Sequence, residues 1–270
     1  MRRLLVLLAA VALLAASPVS VAARPGPTSA RGVDPVIAYW TNERIRNAIP
    51  RDFVRQSNGR FVPAAKPGGG GGGGKAVGGA SWAGGDTIVK QSGRVLFHLR
   101  SGDYICSASV VDDGGDAAYS VIVTAGHCVY DEDNHEFATM WLYIPSFDTA
   151  PTYTCASATY GCWVARELFV HNGFASETGF TSTSTVYDFG FAVVSSGGKG
   201  GGVNPQLDTL GSYAVNTSLS SSPGTGYAFG YPAGGTYAPG NDLTYCKGSI
   251  GTDPFNANRT WKVACDMTGG

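Results

Sequence analysis

Short apolar runs rich in β-branched and aromatic residues recur along this chain, separated by clusters of Gly, Ser, Thr, Asn and Asp. Such spacing reads as strands joined by turns. From Ser81 onward it predicts strands over 95–99, 104–111, 119–124, 136–144, 163–170 and 187–194. A Ser/Gly/Lys stretch at 195–202 interrupts the series, and further strands are predicted over 225–231, 243–250 and 261–267. One helical signal stands out, at 41–49. Thr41 or Asn42 can cap it, Glu43 lies in its first turn and Pro50 stops it. The expected fold class is all-β.

The first 80 residues are organised differently. Arg2 and Arg3 precede an apolar run at 4–16 that is too short to span a bilayer. Pro18 ends the run, and Val21-Ala22-Ala23 offers small residues for cleavage. Residues 1–23 are therefore expected to be a signal peptide of a secreted protein, outside the fold. Residues 24–75 hold Arg44, Arg46, Arg51, Arg55 and Arg60, no cysteine, and seven consecutive glycines at 68–74, too flexible to pack. A basic segment, a hinge and then a cysteine-bearing β region suggest a propeptide, processed within 75–80. A disordered spacer is the alternative. The remaining boundaries expected are 76–196, a linker at 197–202, and 203–270.

Composition narrows the function classes. A chain of 270 residues with net charge −1 and 14% charged residues carries neither the basic excess of a nucleic-acid binder nor a charge block for a membrane surface. A monomer is expected. The even cysteine count, six, fits an oxidising compartment.

The chemistry concentrates at 121–129, VIVTAGHCV. An apolar strand breaks into a small-residue turn that presents His127, with Cys128 available to tie the turn down. A histidine so mounted can serve as a general base beside a nucleophile. Thr124-Ala125-Gly126-His127-Cys128 resembles the histidine motif of chymotrypsin-like serine proteases. In that family the order along the chain is His, Asp, Ser. Asp188 opens the apolar run Phe189-Gly190-Phe191-Ala192-Val193-Val194, similar to the family's aspartate motif and to its glutamyl-endopeptidase-like branch. A carboxylate there is costly without a partner, and His127 is the partner expected.

The resemblance implies two antiparallel six-stranded β-barrels, the second incomplete in this chain, with His127 and Asp188 supplied by the first. It implies a polypeptide substrate, acyl-enzyme chemistry and no cofactor. Trp261–Gly270 (WKVACDMTGG) looks like the approach to the family's G-x-S-G-G motif, which places the nucleophilic serine just beyond Gly270. Gly270 then supplies half the oxyanion hole through its N–H. Neither Ser81 nor Ser249 has the required setting. As written, the chain is expected to be inactive, with exposed strand edges in its second half.

The resemblance pairs Cys106 with Cys128. Cys155 and Cys162 are close enough to close a hairpin, and Cys246 and Cys265 suit a bridge in the second half, one of 15 connectivities. No C-x-x-C spacing favours zinc over these disulfides. The acidic stretch Asp131–Glu136 is expected to be a solvated turn rather than a calcium loop. His98, His135 and His171 are expected to be structural, and Asp266 carries no inference about specificity. A protease-fold binding module without catalysis is the competing functional reading.

Overall fold

The computed structural model describes residues 35–64, 78–115, 118–147, 154–199, 207–218, 224–237 and 240–270. The expected signal peptide and glycine run lie outside the described residues. Six strands are β1 (Ser92–Leu99), β2 (Gly102–Val111), β3 (Ser120–Thr124), β4 (Thr139–Pro145), β5 (Cys162–Val170) and β6 (Gly190–Gly198). They pair antiparallel in the ring β2-β1-β4-β5-β6-β3, which closes through a β2–β3 ladder. Closure removes the free edges that an open sheet would expose.

Alternation along the strands fills two cores. Val95, Phe97 and Leu99 point into the barrel with Val110, Ile122, Trp141, Tyr143 and Trp163. Leu96, Leu142, Ile144 and Val164 point outward, yet they are buried too. Their cover is helix α1 (Pro35–Tyr39), helix α2 (Asn42–Asn47) and the link between them, which contribute Val36, Ile45 and Trp40, together with Tyr231 and Leu243 from the second half of the chain. The described part of the amino-terminal segment is thus a packed layer, not a disordered spacer. Trp40 Nε1 donates to the Met140 carbonyl at 2.6 Å. Thr41 caps α2 by accepting the Arg44 N–H, and Arg44, Tyr39 and His98 converge on the Asp103 carboxylate. Burial and the Asp103 hydrogen bond push the Tyr39 hydroxyl up to about 12.

After α2 the chain pairs with the part of β2 that β3 does not reach, where Ile49 and Pro50 run parallel to Tyr104 and Ile105. A proline is tolerated there because this outermost two-residue strand needs no further ladder donor. A hairpin follows, Phe53–Arg55 against Phe61–Pro63.

The boundary expected at 196 falls inside a strand. β6 continues to Gly198, with Gly197 opposite Trp163 and Gly198 opposite Cys162. The second half contributes β7 (Thr225–Gly230), β8 (Thr244–Thr252) and β9 (Trp261–Val263) to a four-stranded sheet that Ala80–Ser81 joins against β8, with no closed second barrel among the described residues. The last strand stops at Val263. Residues 264–270 instead run as irregular chain, with the Gly269 carbonyl accepting the Ala233 N–H.

Candidate active site

Register brings the two expected catalytic residues together. Thr124, the last residue of β3, pairs with Gly190, the first of β6. Residues just after Thr124 and just before Gly190 therefore emerge at the same barrel end. Gly126–Cys128 forms a single 3-10 turn, and the Cys106–Cys128 disulfide ties it to β2. A Cβ on Gly126 would lie 3.2 Å from an Asp188 carboxylate oxygen and 3.3 Å from Phe174, so a larger residue would press on the carboxylate.

His127 Nδ1 lies 2.8 Å from Asp188 Oδ2, and the His127 backbone N–H donates to Oδ1 at 2.9 Å. Both side chains are mostly shielded, at 15% and 16% exposure. Burial pulls the imidazole toward its neutral form, but the Asp188 charge and hydrogen bond outweigh it and raise the His127 pKa. The other ring nitrogen, Nε2, faces the Arg51 carbonyl at 3.1 Å. With an acceptor at each nitrogen, both must carry protons for both contacts to be hydrogen bonds. Nε2 held this way faces the Arg51 carbonyl rather than an incoming hydroxyl.

Arg51 also buries its side chain beside the histidine turn. Nη1 donates to the carbonyls of His127 at 2.9 Å and Tyr130 at 3.2 Å, and Nη2 to Glu132 Oε2 at 2.8 Å. Asp131 Oδ1 is 3.8 Å away. Asp131 and Glu132 are 2% and 0% exposed, which corrects the expectation of a solvated turn at these two positions, while Asp133, Asn134 and His135 form the exposed turn expected. Burial pushes the Glu132 carboxyl up, and the Arg51 charge opposes that. Phe53 stacks on Phe180 at 4.1 Å and meets the His127 ring edge-on at 5.5 Å. Asp52 accepts the Gly269 N–H at 2.9 Å.

These groups border a cavity of about 290 Å³, lined by Arg51, Asp52, Ser107, His127, Gly269 and Gly270 among others. Ser107 does not serve as a free nucleophile: its hydroxyl accepts the Tyr231 N–H and donates to the Gly270 carbonyl. Gly270 is thereby held on the cavity wall near His127. Disulfides join Cys106 to Cys128, Cys155 to Cys162 and Cys246 to Cys265. The sulfurs nearest His127 are bonded to each other and offer no thiolate to a metal. His98, His135 and His171 have other partners. His98 meets Asp103, His135 meets Thr178 and the Ala175 carbonyl, and His171 stacks on Tyr187.

Arg51, Asp52, Phe53 and Glu132 escaped the sequence reading. Five arginines within 44–60 look alike in sequence, and the Glu132 partner lies 81 positions from Arg51.

No family model and no curated protein matches the sequence. Solved structures do. A thermostable serine protease, AL20, from an extremophilic microorganism shares 29% identity with a TM-score of 0.54, over 68% of this chain and 76% of that one. The protease Anisep from Arthrobacter nicotinovorans shares 29% identity with a TM-score of 0.54, over 67% and 74%. These neighbours support a protease-fold protein. The closed six-stranded barrel is consistent with a trypsin-like fold.

Proposed function

We propose that this protein is a secreted serine endopeptidase that cleaves polypeptides through a Ser–His–Asp triad. The observation that carries the reading is the His127–Asp188 pair at 2.8 Å, mounted at the barrel end beside the cavity that Gly270 lines. Asp188 orients the imidazole and stabilises its charged form. Neutral His127 takes the proton of the serine hydroxyl as the oxygen bonds to the substrate carbonyl carbon. It returns that proton to the amine as the C–N bond breaks, and water then releases the acyl group by the same route. The Gly270 N–H serves as half the oxyanion hole. The nucleophile is placed within the two positions after Gly270, because Trp261–Gly270 resembles the approach to the G-x-S-G-G motif.

Other features support the finer points. Asp188-Phe189-Gly190-Phe191 favours the glutamyl-endopeptidase-like branch. Three disulfides fit an oxidising compartment, and no helix among the described residues is long and apolar enough to cross a membrane. Residues 24–75 act as the propeptide. Catalysis requires residues 51–53 to leave, because the Arg51 carbonyl occupies the approach to Nε2 at 3.1 Å.

The test is to sequence the coding DNA past Gly270, then treat the processed product with a biotinylated fluorophosphonate. The label is expected on a serine within the two positions after Gly270, and His127→Ala should abolish it. No serine at either position, or a folded processed protein that stays unlabelled, refutes the endopeptidase reading. The binding-module reading would then take over. Its support is the capped Nε2 itself.

A further inference from the structure

The surroundings of Arg51 offer acceptors only. Two backbone carbonyls and the Glu132 carboxylate converge on one guanidinium, with Asp131 just behind. Glu132 is fully buried, and its second oxygen, Oε1, has no hydrogen-bond partner among the described residues. A buried carboxylate with an idle oxygen needs a cation and can accept a further N–H. The fork of acceptors suits a planar guanidinium with several fixed donors better than a compact ammonium. All four groups sit on the 127–132 turn that carries His127, and the Cys106–Cys128 disulfide fixes that turn to β2. The cage and the imidazole are therefore one rigid unit.

The occupant is held as a bound peptide would be. The Arg51 carbonyl lies on Nε2, the Asp52 carboxylate takes the Gly269 N–H, and the Phe53 ring rests on Phe180. Three consecutive residues thus contact the histidine, the glycine-lined wall and an aromatic shelf. Nothing in these contacts requires the segment to belong to the same chain.

We propose that Glu132, Asp131 and the carbonyls of His127 and Tyr130 form a guanidinium-binding subsite of the peptide cleft, filled in cis by Arg51 and open to an arginine side chain of a polypeptide bound in its place. Its use in substrate selection rests on the endopeptidase reading, whereas the binding itself does not.

The test uses the whole chain and two probes, acetyl-Arg-Asp-Phe-amide and acetyl-Ala-Asp-Phe-amide, with binding read by calorimetry and by amide shifts over 127–132. In Arg51→Ala the cage is vacated, and the arginine peptide should bind at least about tenfold more tightly than the alanine peptide, as expected for a charge-assisted hydrogen bond. In Arg51→Ala/Glu132→Gln that preference should fall to near one. A second measurement needs no variant: excess arginine peptide should displace residues 51–53 in the unmutated chain. Hydrogen exchange at the Arg51 amide should then speed up, while the alanine peptide leaves it unchanged. Equal binding of the two peptides to a folded Arg51→Ala chain overturns the subsite and makes Arg51 a structural ion pair. No displacement in the unmutated chain, where Arg51→Ala does not fold, overturns it equally. Fluorophosphonate labelling separates the two claims. Peptide discrimination without labelling keeps the subsite and sinks the endopeptidase, and labelling without discrimination does the reverse.

Discussion

Phe53→Ala tests whether residues 51–53 are held over His127 by contacts that can be released without unfolding the barrel. Phe53 is half-buried, stacks on Phe180 at 4.1 Å and a 7° interplanar angle, and meets the His127 ring edge-on at 5.5 Å. Half-burying a phenylalanine contributes about 1 kcal/mol, and the two ring contacts together add about 1 kcal/mol more. Losing about 2 kcal/mol should raise the open population of the segment about 30-fold. The assay is native-state hydrogen exchange, read at two amides. The Arg51 N–H is bonded to the Ile105 carbonyl, and the Gly269 N–H to Asp52. Both should exchange about 30-fold faster in the variant, while amides of β2 and β3 in the barrel core keep their rates. Phe53 belongs to neither buried core, so the barrel is a fair control. Unchanged exchange at Arg51 and Gly269 would show that the aromatic contacts do not hold the segment. Uniformly faster exchange across the barrel would show that they hold the whole fold instead.

Two further outcomes follow from the charges. On the proposed endopeptidase reading, Asp188→Asn in the protein freed of residues 24–75 should lower kcat/KM by about 10⁴, because the imidazole loses its orienting partner. The same change should move the rising limb of the pH–rate profile to lower pH, since Asp188 raises the His127 pKa and only the neutral ring is a base. A limb that stays in place would refute that assignment. At Asp103, burial favours the neutral acid, but hydrogen bonds from Tyr39, His98 and Arg44 outweigh it and hold the carboxyl below its usual range. A lowered folded-state pKa adds stability that is present above the ordinary carboxylate value and is lost as pH falls through the folded value. Asp103→Asn should therefore cost about 1 kcal/mol near neutral pH, discounted for the exposed Arg44. The gap to the parent in urea denaturation should close on acidification, and a gap that persists in acid would exclude the carboxylate as its source.

What could be read from the residues in order was whatever their near neighbours decide. Strand positions follow from apolar runs bounded by turn formers, and Thr41 caps its helix through a contact three residues away. The turn after β3 and the aspartate just before β6 were visible because each is marked by adjacent small or apolar residues. Local signals erred where an edge depends on pairing. Gly197 and Gly198 read as a linker but extend β6 because Trp163 and Cys162 lie opposite them. Residues 264–267 read as strand but lack the partner that would hold them in one.

Tertiary structure alone decided what surrounds each charge. Asp131 and Glu132 look like a solvated turn until Arg51 arrives from about 80 positions away, and only then is their burial affordable. The outward faces of β1 and β4 look like ordinary sheet surface until α1 and α2 cover them. The protonation of His127 likewise depends on an aspartate 61 positions downstream and a carbonyl 76 positions upstream. Sequence determined which chemical groups the chain owns and the local shape that presents them. The fold determined their neighbours, and neighbours within hydrogen-bonding distance set whether a charge is stable, paired or free to react.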